Sequence, residues 1–189
     1  VVTDSVTSNE LHEFLEDKLG LRHLRYKRGY RNVINKAKEL SAAGEQAFLA
    51  IETSGHAAYS DNYYLDDGAF LAVQIVINAA RLKAEGKDIM ALLEGLRAPA
   101  ESKEIRLKIK AEDFAKYGAG VLEDFGKWAE YSNRLEVVEP NYEGVRVNYD
   151  IDGYKGWFLL RMSLHDPVMP LNVESKTPGG VEKATAAIR

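Results

Sequence analysis

Cysteine is absent from all 189 residues. Its absence excludes disulfides, thiolate nucleophiles and cysteine-ligated zinc. No run of basic residues is present and the formal net charge is −4, which argues against a nucleic-acid binder held by phosphate contacts. No apolar run is long enough to span a bilayer, and no secretory signal pattern occurs. The expectation is a cytoplasmic protein with neither nucleic acid nor membrane as partner. A Walker phosphate loop and a dinucleotide G-x-G-x-x-G are also missing. What is present, 46% hydrophobic and 29% charged residues, suits a globular chain with a proper core. Its length allows one large domain or two small ones.

The first half alternates strand-like and helix-like stretches. Val1 to Thr7 reads as a strand with no initiator methionine before it, so a fragment or trimmed chain is expected. Thr7-Ser8-Asn9-Glu10 matches a capping box, followed by a helical stripe of Leu11, Phe14, Leu15 and Leu19 closed by Gly20. Leu21 to Tyr26 is a further short strand. Lys27 to Arg31, KRGYR, is a turn on Gly29 with cations around it. Val33, Ile34, Ala37 and Leu40 then form the stripe of a second helix ending at Gly44.

Gln46 to Ile51 is a short apolar run and reads as a buried strand. A helix begins near Asp67 and runs to about Lys83, capped by Asp66 or Asp67. Apolar residues from Phe70 to Ile77 occupy nearly every face of it, which predicts a buried helix. Between strand and helix lies a polar loop with Glu52, Ser54, Gly55 and His56. Loops at strand ends are where α/β folds place ligands. This loop suits a polyol: a carboxylate accepts hydrogen bonds from two hydroxyls, serine donates or accepts, and glycine lets backbone approach. The plain alternative is a solvated acid and a packed loop histidine.

A short helix with Ile89, Leu92, Leu93 and Leu96 follows, and Arg97-Ala98-Pro99-Ala100 breaks the pattern. A boundary there gives domains of residues 1–98 and 99–189. In the second half Glu104 to Lys110 alternates as a half-exposed strand, and Asp113 caps a helix with the stripe Phe114, Tyr117, Val121, Leu122, Phe125 and Trp128. Strand-like runs at Leu135–Glu139, Val145–Tyr149 and Tyr154–Met162 are separated by turns at residues 141–144 and 150–153. A short strand at Leu171–Ser175 and a closing helix with Val181, Ala184 and Ile188 complete an α+β layer.

The stretch from Glu52 to Phe70 resembles the sugar-binding loop of the α-D-phosphohexomutases, the phosphoglucomutase and phosphomannomutase family. In that family a Glu-x-Ser-Gly-His loop holds sugar hydroxyls, which implies sugar contacts for Glu52, Ser54, Gly55 and His56. Leu65 to Phe70, LDDGAF, is similar to the family's helix start. Arg28 and Arg31 stand where the family usually has threonine and lysine, and are either ligand contacts or a solvated cationic turn. Arg161 to Ser175, RMSLHDPVMPLNVES, resembles the family's phosphate loop, usually Arg-x-Ser-Gly/Asn-Thr-x-Pro. Arg161, Ser163 and Pro167 match it, while Leu164 and His165 depart from it. Arginine offers a planar fork to phosphate oxygens, Ser163 a hydroxyl, and His165 either a phosphate contact or an ordinary loop role.

The resemblance covers the whole chain as the third and fourth domains of a four-domain enzyme. It implies a three-layer α/β domain followed by a TATA-binding-protein-like α+β domain with an antiparallel sheet and helices. The family's phosphoserine loop and its Asp-x-Asp-x-Asp-Arg magnesium loop have no counterpart in this sequence. The implied parent is a hexose-phosphate mutase that interconverts sugar 1- and 6-phosphates through a phosphoserine and a bisphosphorylated intermediate. Its partners would be a hexose phosphate, a hexose bisphosphate activator, magnesium and N-terminal domains of the same chain. His56 is a candidate acid or base, since histidine titrates near working pH; no metal ligand is expected here. This chain alone is then expected to be inactive. A stand-alone, non-catalytic sugar-phosphate-binding module and a scaffold domain with accidental motif matches remain alternatives.

Overall fold

Alternating apolar and polar stretches separate into two compact units, Val1–Arg97 and Ala98–Arg189. The computed structural model describes residues 1–163 and 166–188. The expectation for His165 therefore lies outside the described residues.

In the first unit, β1 (Val2–Asp4), β2 (Leu24–Tyr26), β3 (Leu49–Ile51) and β4 (Ala57–Tyr59) form one sheet in the order β2-β1-β3-β4. The first three strands are parallel, and β4 runs antiparallel to β3. Helix α1 (Asn9–Glu13) continues as a π-helical turn over Phe14–Lys18. Its N-cap is Ser8, whose hydroxyl accepts from the Leu11 N–H, rather than Thr7, whose hydroxyl donates to Asp4. Helix α2 (Tyr30–Ala42) buries Val33, Ile34 and Ala37 with Val2, Ala47, Ala50 and Ala58. These side chains recur at the helical spacing that faces one side.

Helix α3 (Gly68–Ala84) corrects the expectation of a buried helix. None of its described residues is buried, and Val76 is 66% exposed. Within its unit it lies against β4 and a 3-10 turn at Ile89–Leu93. Apolar residues on every face permit burial but do not supply neighbours for each face.

The second unit is an antiparallel sheet in the order β5-β9-β8-β7-β6. Its strands are β5 (Glu101–Lys108), β6 (Leu135–Val137), β7 (Val145–Ile151), β8 (Tyr154–Leu160) and β9 (Val168–Ser175). Asp152 and Gly153 turn β7 into β8 with φ of 53° and 84°, the left-handed pair a two-residue hairpin needs. Helix α4 (Phe114–Glu130) lies against β6 and β7, and α5 (Gly180–Ile188) against β9, β8 and β5. Strand alternation sends Val147, Tyr149, Phe158, Leu160, Leu171 and Val173 into one core. Trp157, Leu159 and Arg161 follow the other parity of β8. Arg146 lies opposite Leu159, and its guanidinium sits 3.7 Å from the Trp157 ring centroid, a cation–π contact that lets a charge be buried. The α/β plus α+β class is what the chain adopts.

Candidate functional site

Residues 52–56 connect β3 to β4, so the polar loop closes a hairpin instead of leading straight into a helix. The three-residue β4, Ala-Ala-Tyr, is too short and too weakly patterned to be read from sequence. The Glu52 N–H donates to the His56 carbonyl at 2.9 Å and the Gly55 N–H to the Glu52 carbonyl at 2.9 Å. Gly55 has φ of 93°, a conformation that favours glycine.

Glu52 is buried, and both of its carboxylate oxygens are engaged. Oε1 accepts from the Gly29 N–H at 2.6 Å, and Oε2 accepts from the Ser54 hydroxyl at 3.1 Å. Each carboxylate oxygen has a second lone pair, so acceptor capacity for a ligand remains. Gly29 (φ 110°) precedes α2 as its N-cap residue, so the Lys27–Arg31 turn and the hairpin meet at one carboxylate. Arg28 flanks that turn, with its carbonyl accepting from Asn32. Arg31 leans on Tyr30, its guanidinium carbon 5.7 Å from the ring centroid.

Asp4 and Tyr30 reach this site with no sequence signal, and the tie of Asp66 to His56 has none either. Asp4, fully buried at the end of β1, accepts from the Thr53 hydroxyl at 2.7 Å and the Thr7 hydroxyl at 3.1 Å. Tyr30 stacks on His56 with ring centroids 4.9 Å apart. Asp66 pairs with His56 Nδ1 at 2.7 Å, while Asp67 is the N-cap of α3 and accepts from the Phe70 N–H at 3.0 Å. That backbone donor, with Asn62 assisting, holds the Asp67 carboxyl below the usual range. Of the two neighbouring aspartates, one caps and the other holds the histidine.

In the second unit Arg161 follows directly on β8. It is 8% exposed, and its Nη1 lies 3.9 Å from Oε1 of Glu143. A packed apolar strand, Trp157 to Leu160, carries its stem, and its N–H donates to the Pro170 carbonyl. Gly144 lets the neighbouring chain come close: a Cβ there would stand 2.1 Å from the Leu160 carbonyl oxygen and 2.8 Å from the Arg161 Cα. Ser163 lies beyond the assigned end of β8, where its N–H donates to the Val168 carbonyl at 2.9 Å and its hydroxyl accepts from the Asp166 N–H at 3.3 Å. The Arg161 and Ser163 N–H groups both point toward β9, as alternate residues of an extended chain do. The Arg161 charge is also felt by Glu104, whose carboxyl is held low mainly by Arg106, with smaller help from Asn172 and Arg161.

A surface depression of about 790 Å³ between β5 and α5, lined by Glu101, Lys103, Glu182 and Thr185 among others, includes no residue of either loop. Among the described residues no group of three or more His, Asp or Glu is placed to hold a metal ion. No helix among the described residues is long and apolar enough to cross a membrane.

Residues 1–98 match the family model for phosphoglucomutase/phosphomannomutase, alpha/beta/alpha domain III. The chain belongs to the phosphoglucomutase/phosphomannomutase family. It is 28% identical over 148 residues to the phosphomannomutase/phosphoglucomutase of Pseudomonas syringae pv. tomato, covering 77% of this chain and 28% of that protein. The Pseudomonas aeruginosa phosphomannomutase/phosphoglucomutase is 26% identical over 171 residues, 90% of this chain and 33% of that protein. A crystal structure of a phosphoglucomutase/phosphomannomutase family protein from Burkholderia thailandensis superimposes with a TM-score of 0.68 at 28% identity, covering 97% of this chain and 34% of that one. Aspergillus fumigatus N-acetylphosphoglucosamine mutase in complex with GlcNAc-6P and magnesium shares the fold alone, with a TM-score of 0.55 at 10% identity, covering 99% of this chain and 40% of that one. The chain thus spans about a third of the length of the curated relatives it matches.

Proposed function

We propose that this chain supplies the sugar-hydroxyl loop and a phosphate loop of a hexose-phosphate mutase. The observation that carries the reading is the Glu52 carboxylate, buried yet shared between the Gly29 N–H and the Ser54 hydroxyl. A carboxylate held by two donors on its protein side is orientationally fixed, and its remaining lone pairs can accept from adjacent sugar hydroxyls. Ser54 and Gly55 border it, and the His56 imidazole adds a group able to take or give a proton. In the second unit Arg161 and Ser163 offer a planar cation and a hydroxyl to a phosphate.

Turnover, in this reading, belongs to a polypeptide that also carries a phosphorylated-serine loop and a magnesium loop. The metal would steady the transferring phosphoryl group; neither loop motif occurs among these residues. The substrate is a hexose phosphate, with a hexose bisphosphate as activator and a cytoplasmic setting.

The test is titration of ¹⁵N-labelled chain with hexose 6-phosphate, free hexose and inorganic phosphate. Amide shifts at residues 52–56 with hexose 6-phosphate, reduced about tenfold or more in affinity by Glu52→Gln, are expected, since hydrogen bonds to charged groups contribute about 1.5–3 kcal/mol. Shifts confined to other residues, or equal affinity in Glu52→Gln, would overturn the reading. A coupled mutase assay on the same chain should show no turnover.

A further inference from the structure

The imidazole of His56 is held from two directions. Its Nδ1 lies 2.7 Å from Oδ2 of Asp66. Its face stacks on Tyr30, with centroids 4.9 Å apart and planes inclined by 22°. An aspartate carboxylate only accepts, so the proton at that contact sits on Nδ1. The hydrogen bond at one ring nitrogen sets the state of the other; in the neutral ring Nε2 then keeps its lone pair.

We propose that Asp66 and Tyr30 are positioning residues: Asp66 holds His56 as the Nδ1–H tautomer, and Tyr30 fixes the plane of the ring, so that a bare Nε2 meets a sugar hydroxyl. The inference rests on the reading of residues 52–56 as a sugar loop. Both partners are themselves anchored. Tyr30 follows Gly29, whose N–H is held by Glu52, and Arg31 leans on its ring. Asp66 precedes Asp67, whose carboxylate is tied to the start of α3 by Phe70 and to Asn62. An exposed ion pair by itself contributes little. The selection here comes from geometry: Nε2 in this tautomer can accept from a hydroxyl, whereas Nε2–H in the other would have to donate to it.

Long-range ¹H–¹⁵N correlation of the histidine rings, recorded where they are neutral, reads the tautomer directly and without ligand. The sequence has four histidines, and His56→Gln identifies the signal. Wild type should show a protonated Nδ1 and a bare Nε2. Asp66→Ala should move His56 toward the Nε2–H form, while Asp66→Asn, which keeps an acceptor oxygen, should retain Nδ1–H. Tyr30→Leu should leave the tautomer but remove the ring-current shift on the His56 ring protons. Asp66→Ala should also weaken hexose 6-phosphate binding about three- to tenfold, with Asp66→Asn close to wild type. A wild-type His56 carrying its proton on Nε2 overturns the proposal whatever the variants do. A changed tautomer with unchanged affinity overturns its link to the ligand. Failure of the sugar-loop reading looks different: the tautomer stands, and hexose 6-phosphate shifts nothing at residues 52–56.

Discussion

The Gly29 N–H donates to the Glu52 carboxylate across 2.6 Å, joining two loops 23 residues apart in sequence. Each half of this contact needs its residue type. Gly29 sits at φ 110°, and a Cβ there would come 3.1 Å from Asn32 Nδ2. Glu52 provides an acceptor that Ser54 also uses. The contact carries the turn before α2 and the hairpin after β3 as one piece.

Gly29→Ala should therefore destabilise the first unit by about 1–3 kcal/mol, the usual cost of a side chain held in a sparsely populated backbone region. Urea unfolding should show a lower midpoint with an unchanged slope. A midpoint within error of wild type would mean that the turn relaxes without Glu52.

Arg161→Lys should keep the charge and lose the planar fork, so inorganic phosphate and hexose 6-phosphate should bind less well. Phosphate titration of both proteins by NMR checks this, with shifts expected near Arg161 and Ser163. Gly144→Ala is the companion variant. It places a Cβ against the backbone of Leu160 and Arg161 at φ 62°, and should lower the stability of the second unit as well as phosphate binding. Equal phosphate affinity in Arg161→Lys would remove the arginine from phosphate recognition.

Glu101 ties β5 to the start of α5. Its carboxylate accepts from the Gly179 N–H at 2.7 Å and the Val181 N–H at 3.1 Å, and these donors hold its pKa below the ordinary glutamate range. A folded-state pKa depressed in this way stabilises the fold above the unfolded value of about 4.3, and the contribution is lost as pH falls through the folded value. Unfolding midpoints measured from pH 7 down to pH 3 should decline in wild type, and the decline should be shallower in Glu101→Gln. Parallel pH profiles for the two proteins would show that Glu101 does not contribute.

Limited trypsin digestion should cut early after Arg97 and leave fragments 1–97 and 98–189, identifiable by mass. Arg97 is exposed, and pairing resumes just after it, where the Ala100 N–H donates to the Ser175 carbonyl. Exposed, unpaired backbone is where proteases nick first. Earliest cuts inside α2 or β8 would count against two independent units.

By itself the sequence determined what short-range patterning can encode. The stripe Val33, Ile34, Ala37 specified the buried face of α2, the alternation through β7 and β8 specified the second sheet, and the Asp-Gly pair specified their hairpin. Glu52, Ser54, Gly55 and His56 could be placed in a loop at a strand end because polar residues and a glycine follow an apolar run. Contacts between distant segments were decided only by tertiary structure. No local pattern says that Glu52 receives the Gly29 N–H, that Asp4 receives Thr53, or that of two adjacent aspartates Asp67 caps a helix while Asp66 holds His56. Helix α3 shows the same limit from the other side. Its apolar residues were legible, but burial depends on which neighbours the fold brings to each face, and most of that surface lies open. Hydrophobic periodicity is a property of one segment, whereas a hydrogen bond or a packed face needs a partner that only the folded chain supplies.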